Sequence, residues 1–289
     1  STYVELFYIS SGTTLETQKE KFNEALNDFV NNATMYSSEY EREKYVNDYI
    51  ISNCVYDDEA AYNNNTKGNV STAYGVLVDG KAICEGYARA FQLLCNKLGI
   101  ECVSIAGMTD DIGHEWNCAK IDGNWYQVDV TWNDSQDDFS NYYYFNLTDE
   151  QMYSSHRADD LFDEIEPDNY NNDENLIGNL YVPECNSTEY NYYNQTAPIL
   201  YAFDEENDNT ISNALANSAV NGDNYFNIIV DDSLDFEDTY STLVQDGYVV
   251  NYIESANNML WGEVELDTSS YAYKNDTLRV ITIVLNYIN

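Results

Sequence analysis

Three residue types that together support thiol chemistry occur in one stretch of this chain. Cys84 opens a segment with helical spacing, and His114 and Asp129 follow it in a segment that alternates like a β-hairpin. A cysteine thiolate is a nucleophile, an imidazole can carry a proton, and a carboxylate can orient the imidazole. These groups suffice for acyl transfer through a thioester, provided that the fold brings them together.

The turn signal Asp122-Gly123 predicts how the histidine meets the aspartate. Asp-Gly is a strong signal for a two-residue hairpin turn, and that turn fixes the register of the flanking strands. In this register His114 lies opposite Thr131, and Trp116 lies opposite Asp129. Because side chains alternate along a strand, His114 and Asp129 share a face as diagonal neighbours, roughly 7–8 Å apart at the backbone. The carboxylate can then bind one imidazole nitrogen and leave the other to face a nucleophile.

A second pattern predicts that Cys84 begins a helix. Apolar residues recur after it at helical spacing up to a stop at Gly99, and they are Tyr87, Ala88, Phe91, Leu94, Cys95 and Leu98. Unpaired N–H groups at a helix start and a nearby imidazolium favour the thiolate form of a cysteine. Glu85 opposes this with a negative charge, and we expect its side chain to point into solvent.

Each of the three residues also has a structural interpretation. Cysteines are commonly buried as small apolar residues, and Cys84 alone is no evidence for catalysis. His114 alone fits a hydrogen-bonded hairpin histidine, and Asp129 alone fits a charge at a strand edge. The combination of the three residues favours a catalytic role, because one of only two histidines in the chain lies across from an aspartate on a predicted hairpin.

Three separated blocks, in this order, resemble the transglutaminase-like superfamily in its bacterial branch. The blocks are Cys84-x-Gly86-x-Ala88, His114-x-Trp116 and Val128-Asp129-x-Thr131-Trp132. The resemblance covers about residues 40–155. It implies an α+β class, with a papain-like transglutaminase core in which the helix carrying the cysteine packs on an antiparallel sheet. Residues 145–152 and His156 also resemble the tail of the family, and His156 is interpreted as structural.

The resemblance assigns a role to each member of the set. It implies that Cys84 is the nucleophile, His114 the general base and acid, and Asp129 the orienting carboxylate. Tyr74 and Trp116 are weaker candidates for contacting the substrate or the oxyanion. For Tyr74, a packing role fits equally well.

Composition limits the classes of partner. The chain has 289 residues and a net charge of −39, which argues against nucleic-acid binding because phosphate contacts need a basic surface. The same charge disfavours anionic membranes, and no membrane-inserting run is evident. Such acidity fits an extracellular or cell-surface protein and favours a protein or peptide substrate that is cationic. Abundant Tyr and Asn indicate a low-GC bacterium.

Cysteine spacing and acidic runs bear on cofactors. No two of the six cysteines form a CxxC pair, and Cys95, Cys102 and Cys118 lie in apolar patterns typical of buried thiols. Since ligand spacing is missing and histidine is scarce, no zinc site and no cofactor are expected. Asp110-Asp111 and Asp137-Asp138 could bind calcium weakly, although a solvated acidic face explains them better.

Proline positions predict the domain organisation. Pro167, Pro183 and Pro198 fall in one Asp-, Asn- and Tyr-rich stretch, which is typical of a linker. We therefore expect a catalytic domain over 1–165, a linker over 166–198 and a small α+β accessory domain over 199–289.

Hydrophobic patterns predict the elements of the two domains. For the first domain these are strands over 3–9 and 100–106, a helix after a capping box at Thr13-x-x-Glu16, a helix over 38–53, a loop over 56–72 and the hairpin over 114–132. For the second they are strands over 199–203, 225–230, 248–253 and 278–288 and helices near 209–219 and 235–245, in an order that could be ferredoxin-like.

Two functions from different classes remain open at this stage. The first is an enzyme that transfers acyl groups from protein or peptide amides through a Cys84 thioester, with crosslinking, deamidation or hydrolysis as the outcome. The second is a non-catalytic surface module that keeps the fold and binds protein. The intact set of Cys84, His114 and Asp129 favours the enzyme, because a binding module needs none of them.

Overall fold

The structure is a computed structural model that describes residues 11–63, 68–135, 137–159, 182–262 and 264–288. The chain divides into two units, Ser1–Thr188 and Glu189–Asn289. This division falls within the stretch for which a linker is predicted. The strand predicted over 3–9 and residues 166–181 of that linker lie outside the described residues. Among the described helices, none combines the length and the apolar composition that crossing a bilayer requires.

The first unit mixes helices with short and long strands. Its described helices are α1 (Gly12–Ala33), α2 (Glu39–Asn53), α3 (Asp58–Tyr62), α4 (Cys84–Lys97), α5 (Val130–Asn133) and α6 (Asp149–Met152). Its described strands are β1 (Val55–Tyr56), β2 (Lys81–Ala82), β3 (Cys102–Thr109), β4 (Ile112–Ile121), β5 (Asn124–Val128) and β6 (Arg157–Ala158).

The hairpin of β4 and β5 has the predicted register. Ile121 pairs with Asn124, and the antiparallel ladder continues to the pair of Asn117 and Val128. Asp122 and Gly123 both have positive φ, 48° and 92°, as a tight primed turn requires. The hairpin is half of an antiparallel four-stranded sheet with the order β5-β4-β3-β6.

The predicted hairpin is wrong beyond Val128. Asp129 leaves the strand and caps helix α5, because its Oδ1 accepts the backbone N–H groups of Thr131 (2.9 Å) and Trp132 (3.2 Å). A short acidic side chain that binds the backbone two and three residues ahead competes with strand pairing. Thr131 therefore does not lie opposite His114.

Helix α4 confirms the predicted start and stop. It begins at Cys84 and ends before Gly99, whose φ is 83°. Its predicted inner face is buried from Tyr87 to Cys95. On β4, the Asn117 amide donates to the carbonyl of Ala88 in α4 at 3.0 Å and fastens the helix to the sheet.

Two expectations for the first 72 residues are wrong. Helix α1 begins at Gly12, so Thr13 lies inside the helix and forms no capping box there. A complete capping box instead stands at Ser38 and Glu41, where α2 begins. The predicted loop contains β1 and α3, and Asp57 caps α3 by accepting the N–H of Ala60 at 3.0 Å.

The second unit is a small α+β domain, as predicted. Its described elements are α7 (Tyr192–Thr196), β7 (Ile199–Leu200), α8 (Glu205–Asn221), β8 (Tyr225–Val230), α9 (Phe236–Tyr240), α10 (Val249–Leu260), β9 (Ala272–Asn275) and β10 (Val280–Val284). The strands form a sheet with the order β7-β8-β10-β9, in which β7 and β8 are parallel. The chain order of these elements differs from a ferredoxin-like β-α-β-β-α-β.

The strand predicted over 248–253 is wrong, because these residues belong to the end of a turn and to helix α10. Val249, Tyr252, Ile253 and Ala256 are buried against the core of the second unit. Their spacing of three and four residues suits one helix face, and that burial outweighs the strand preference of valine, tyrosine and isoleucine.

A buried glutamate lies in the core of the first unit. Glu43 of α2 is fully buried, and the Asn146 amide donates to its Oε2 at 2.7 Å. Burial raises the pKa of Glu43 to about 8, although the hydrogen bond from Asn146 opposes the rise and repulsion from Glu39 adds to it. The carboxyl group is therefore protonated at neutral pH in the folded state.

Replacing this carboxyl by an amide, Glu43→Gln, should stabilise the fold in a pH-dependent way. The unfolded chain loses the Glu43 proton near its ordinary value while the folded chain keeps it, so stability falls as pH rises from about 5 to about 8. The variant lacks that loss and should gain about 3 kcal/mol at pH 7 but little near pH 4.5. Urea unfolding between pH 4.5 and 8 measures the free energy of unfolding of both proteins. Glu20→Gln, at an exposed position, is the control. The same pH dependence for Glu43→Gln and wild type would contradict the prediction.

Candidate active site

Asp129 is the centre of the site and is fully buried. Its Oδ1 is held by the two backbone N–H groups at the start of α5. Its Oδ2 lies 2.7 Å from Nε2 of His114 and 3.0 Å from Nε2 of His156. Burial raises the pKa of this carboxyl, but the charges and hydrogen bonds of the two histidines outweigh that effect and lower it to about 2. Asp129 is therefore a carboxylate despite its burial.

His114 lies on β4 with its side chain 7% exposed. Burial lowers its pKa, but the charge and hydrogen bond of Asp129, together with a hydrogen bond to Cys84, raise it to about 10. Since Nε2 binds Asp129, the Nδ1 atom is the one left for the thiol. The structure thus brings together the sequence-predicted histidine, aspartate and cysteine.

Cys84 occupies the first position of α4 and is partly exposed, whereas the other five cysteines are buried. The helix start lies close to another chain segment, because the Ile83 N–H donates to the Val70 carbonyl at 3.0 Å. A Cβ on Gly86 would stand 2.4 Å from the same carbonyl oxygen, so only glycine fits there. Glu85 does not simply face solvent, since it forms an ion pair with Arg89 one turn along the helix.

Tyr56 is a site residue that the sequence reasoning missed. The parallel pair of β1 and β2 places it beside Ala82, two residues before Cys84. Burial and the neighbouring Cys84 thiol raise the pKa of Tyr56 to about 12, although a hydrogen bond with the Cys84 backbone opposes the rise. Tyr56 therefore keeps its hydroxyl proton at the nucleophile.

Trp116 and Tyr74, the two weaker candidates for contacting the substrate or the oxyanion, lie in different surroundings. Trp116 is buried, and its indole N–H donates to Gln127 Oε1 at 2.7 Å, so this donor is already engaged. Its ring is stacked beside His114 at 6.2 Å, where it supports the imidazole. Tyr74 stacks against Phe22 of α1 at 6.1 Å and lines a shallow cavity of about 350 Å³ with residues of that helix.

Gly107 allows the tryptophan to reach its position. It lies on β3 between His114 of β4 and Ala158 of β6. A Cβ at Gly107 would stand 2.2 Å from the Arg157 carbonyl oxygen and 2.5 Å from the Trp116 ring. Any other residue would therefore displace the ring that packs against His114.

His156, which is interpreted from the sequence as structural, lies in the same cluster. Its ring lies 4.6 Å from Trp132, 5.1 Å from Trp116 and 5.6 Å from Tyr144. Together with His114 and Asp129 it forms the one group of potential metal ligands found among the described residues. Nε2 of each histidine and Oδ2 of Asp129, which are atoms that could ligate a metal, form hydrogen bonds with one another. Asp110 and Asp111 are exposed at the β3–β4 turn.

Comparison with known proteins agrees with this geometry. Residues 27–130 match the family model of the Transglutaminase-like superfamily. This region of the first unit is therefore similar to that superfamily, and the mixed helix-and-sheet class predicted from the sequence is confirmed. The match contains Cys84, His114 and Asp129.

Similarity to individual proteins is more distant. The chain is 29% identical over 167 residues to the mouse (Mus musculus) Kyphoscoliosis peptidase and 26% identical to the human (Homo sapiens) one, with 54% of this chain and 24% of each relative covered. The chain thus spans about a quarter of the length of these relatives.

Two solved structures are also similar to this chain, each over less than half of it. One is described as a crystal structure of a TGase, with 19% identity, 44% of this chain and 35% of that chain covered, and a TM-score of 0.36. The other is a putative cysteine protease from Cytophaga hutchinsonii, with 19% identity, 39% and 37% covered, and a TM-score of 0.31.

Cys84 should alkylate fastest of the six cysteines. It is partly exposed and contacts an imidazole, whereas burial raises the pKa of Cys54 to about 11 and that of Cys95 well above its ordinary value. Brief iodoacetamide exposure near pH 6, followed by peptide mapping, should show an advantage of about tenfold or more that His114→Ala removes. Preferential labelling of Cys102 or Cys118 would overturn the assignment of the nucleophile.

Proposed function

We propose that the first unit is a cysteine acyltransferase or hydrolase that acts on carboxamide or peptide bonds through a Cys84 thioester. The observation that carries the proposal is the chain of contacts from the partly exposed Cys84 to His114 and on to the buried Asp129. The carboxylate keeps His114 protonated, and an imidazolium beside a thiol favours the thiolate. A chain that only bound a partner would have no use for this arrangement.

The proposed reaction has two halves. The Cys84 thiolate forms a C–S bond to the carbonyl carbon, and the π electrons of the carbonyl move to its oxygen. The oxyanion then re-forms the carbonyl and expels ammonia or an amine, which takes the proton of His114, so a thioester remains. Water or a second amine next attacks the thioester while His114 accepts its proton, and the thiolate leaves. Protein groups alone supply these steps, so the proposal includes no cofactor.

The oxyanion would form next to the start of α4. The backbone N–H of Cys84 lies at this helix start, and the Tyr56 hydroxyl lies beside it. Donors that are already in place where charge develops lower the barrier without reorganisation. We infer that these two donors, rather than Trp116 or Tyr74, stabilise the tetrahedral intermediate. The engaged indole N–H of Trp116 supports this choice.

The fate of the thioester decides between the possible outcomes. The word peptidase in the names of the mouse and human relatives favours hydrolysis as the first hypothesis. Incubation with a glutamine peptide and an amine donor, followed by mass spectrometry, distinguishes the products: a cleaved peptide, an amine adduct, or a deamidated side chain. Failure of Cys84 to form any acyl adduct with a panel of peptides would instead favour the non-catalytic binding module.

Asp129→Asn should lower turnover and move its pH dependence. The carboxylate raises the pKa of His114, so its removal lets His114 lose its proton at lower pH. The basic limb of kcat/KM should therefore move towards neutral pH, and kcat should fall on the order of 10⁴, as in comparable triads. The variant's melting temperature is the check on folding. An unchanged rate and profile would show that another group orients His114.

We also propose that the preferred substrate is cationic and the protein extracellular or at the surface of a bacterial cell. A net charge of −39 raises the local concentration of cations around the molecule. Lysine-flanked peptides should have a higher kcat/KM than glutamate-flanked ones at low salt. Because screening acts over roughly 8 Å at physiological salt, the ratio should approach one as salt rises. A salt-independent ratio near one at all concentrations would remove electrostatic attraction from the proposal.

A further inference from the structure

His156 makes a contact that the proposed reaction does not use. Its Nε2 lies 3.0 Å from Asp129 Oδ2, the same oxygen atom that His114 Nε2 approaches at 2.7 Å. The other oxygen, Oδ1, accepts only the two backbone N–H groups at the start of α5. Two imidazoles thus share one carboxylate oxygen.

The direction of the His156 contact follows from its acceptor. The Asp129 carboxylate can only accept, so the shared proton lies on Nε2 of His156, which donates it to Oδ2. Nδ1 lies 2.8 Å from the Ser155 hydroxyl, which also donates to the Met152 carbonyl at 3.4 Å. The ring is held by its aromatic neighbours, and only 3% of the residue is exposed. His156 can therefore act as a fixed donor to Asp129.

Two donors on one oxygen compete. A second donor stabilises the carboxylate most when the carboxylate is not already paired with a cation, which is the state after His114 has lost its proton. We propose that His156 is a positioning residue that shares the Oδ2 atom of Asp129 with His114 and thereby weakens the hold of this carboxylate on the His114 proton. This inference rests on the proposed function, in which His114 must give up a proton and take one back in each cycle.

Other groups around the pair are also titratable. Cys84 on α4 faces His114 and raises its pKa, as Asp129 does, and Glu115 on β4 interacts with it electrostatically. Tyr144 faces Asp129. Burial raises its pKa, a hydrogen bond with Ser155 opposes the rise, and the charge of Asp129 adds to it. Within the described part of the site, His156 is the neighbour that donates to the same oxygen as His114. It is therefore the residue whose removal isolates the competition.

The two histidines of the chain make a direct measurement practical, because each variant at 156 leaves His114 as the single imidazole. We compare His156→Phe, which keeps a ring among Trp116, Trp132 and Tyr144 but loses the donor, with His156→Gln, which loses the ring but can place an amide N–H near the former Nε2. Ser155→Ala is a milder third variant that frees Nδ1 of His156. Melting temperatures show which variants fold.

Titration of the His114 ring by NMR, without substrate, is the test. In His156→Phe the midpoint should rise by about one pH unit, so that the deprotonated fraction at a fixed pH near 9 falls up to about tenfold. His156→Gln should stay close to wild type, and Ser155→Ala should shift in the same direction as Phe but by less. If His156 acted through packing alone, the order would be reversed: the His114 midpoint would stay close to wild type in His156→Phe and would shift in His156→Gln.

Each outcome decides one statement. An unmoved or lowered midpoint in His156→Phe overturns the inference, and if that variant does not fold, the direction of the shift in Ser155→Ala decides instead. Because the titration needs no substrate, it is independent of the peptide assays. A raised midpoint without any acyl transfer would contradict only the proposed function. Acyl transfer with an unmoved midpoint would contradict only the role of His156.

Discussion

The burial of one carboxylate is the constraint on which the rest of the first unit depends. An uncompensated charge in the interior is far too costly to keep, so Asp129 must be surrounded by donors. Those donors come from β4, from the start of α5 and from His156 in the turn that follows α6, which are distant along the chain. Ending β5 at Val128, bending the chain into α5 and returning residues 149–156 to the sheet are all ways of meeting this one requirement.

The same requirement makes the site rigid where the chemistry needs it. His114 cannot rotate freely because Trp116 packs beside it, and Trp116 is fixed by Gln127, whose amide is in turn held by Asp149 at 2.8 Å. On the other side, Asn117 fastens the cysteine helix to the strand that carries His114. Side chains whose own partners are fixed hold a reactive geometry better than side chains on mobile loops. Cys84, at the first turn of α4, is the partly exposed residue of this otherwise buried set.

The contact between His114 and Asp129 could be predicted from the sequence because the turn that sets it depends on two adjacent residues. Asp122-Gly123 sets the register, and register sets which side chains share a face. The sequence did not predict the route of the chain after Val128, since a side-chain cap and strand pairing compete within two residues. Tyr56 was missed, and the contact of His156 with Asp129 was not predicted, for another reason. Tyr56 is placed by the parallel pairing of β1 with β2, and His156 by the turn after α6. Both are long-range contacts, which the periodicity of a sequence does not predict.

The acidity of the chain bears on the second half of the reaction. A field of this sign favours a protonated His114 and so acts in the same direction as Asp129. It also concentrates amines in their charged ammonium form, which is not nucleophilic, whereas the neutral amine that must attack a thioester gains nothing from it. A cationic acyl donor therefore benefits from the charge of the protein and an amine acceptor does not. On electrostatic grounds the acidity favours hydrolysis of a cationic peptide over crosslinking to a lysine, with His114 free to deprotonate the attacking water once the first product has carried its proton away.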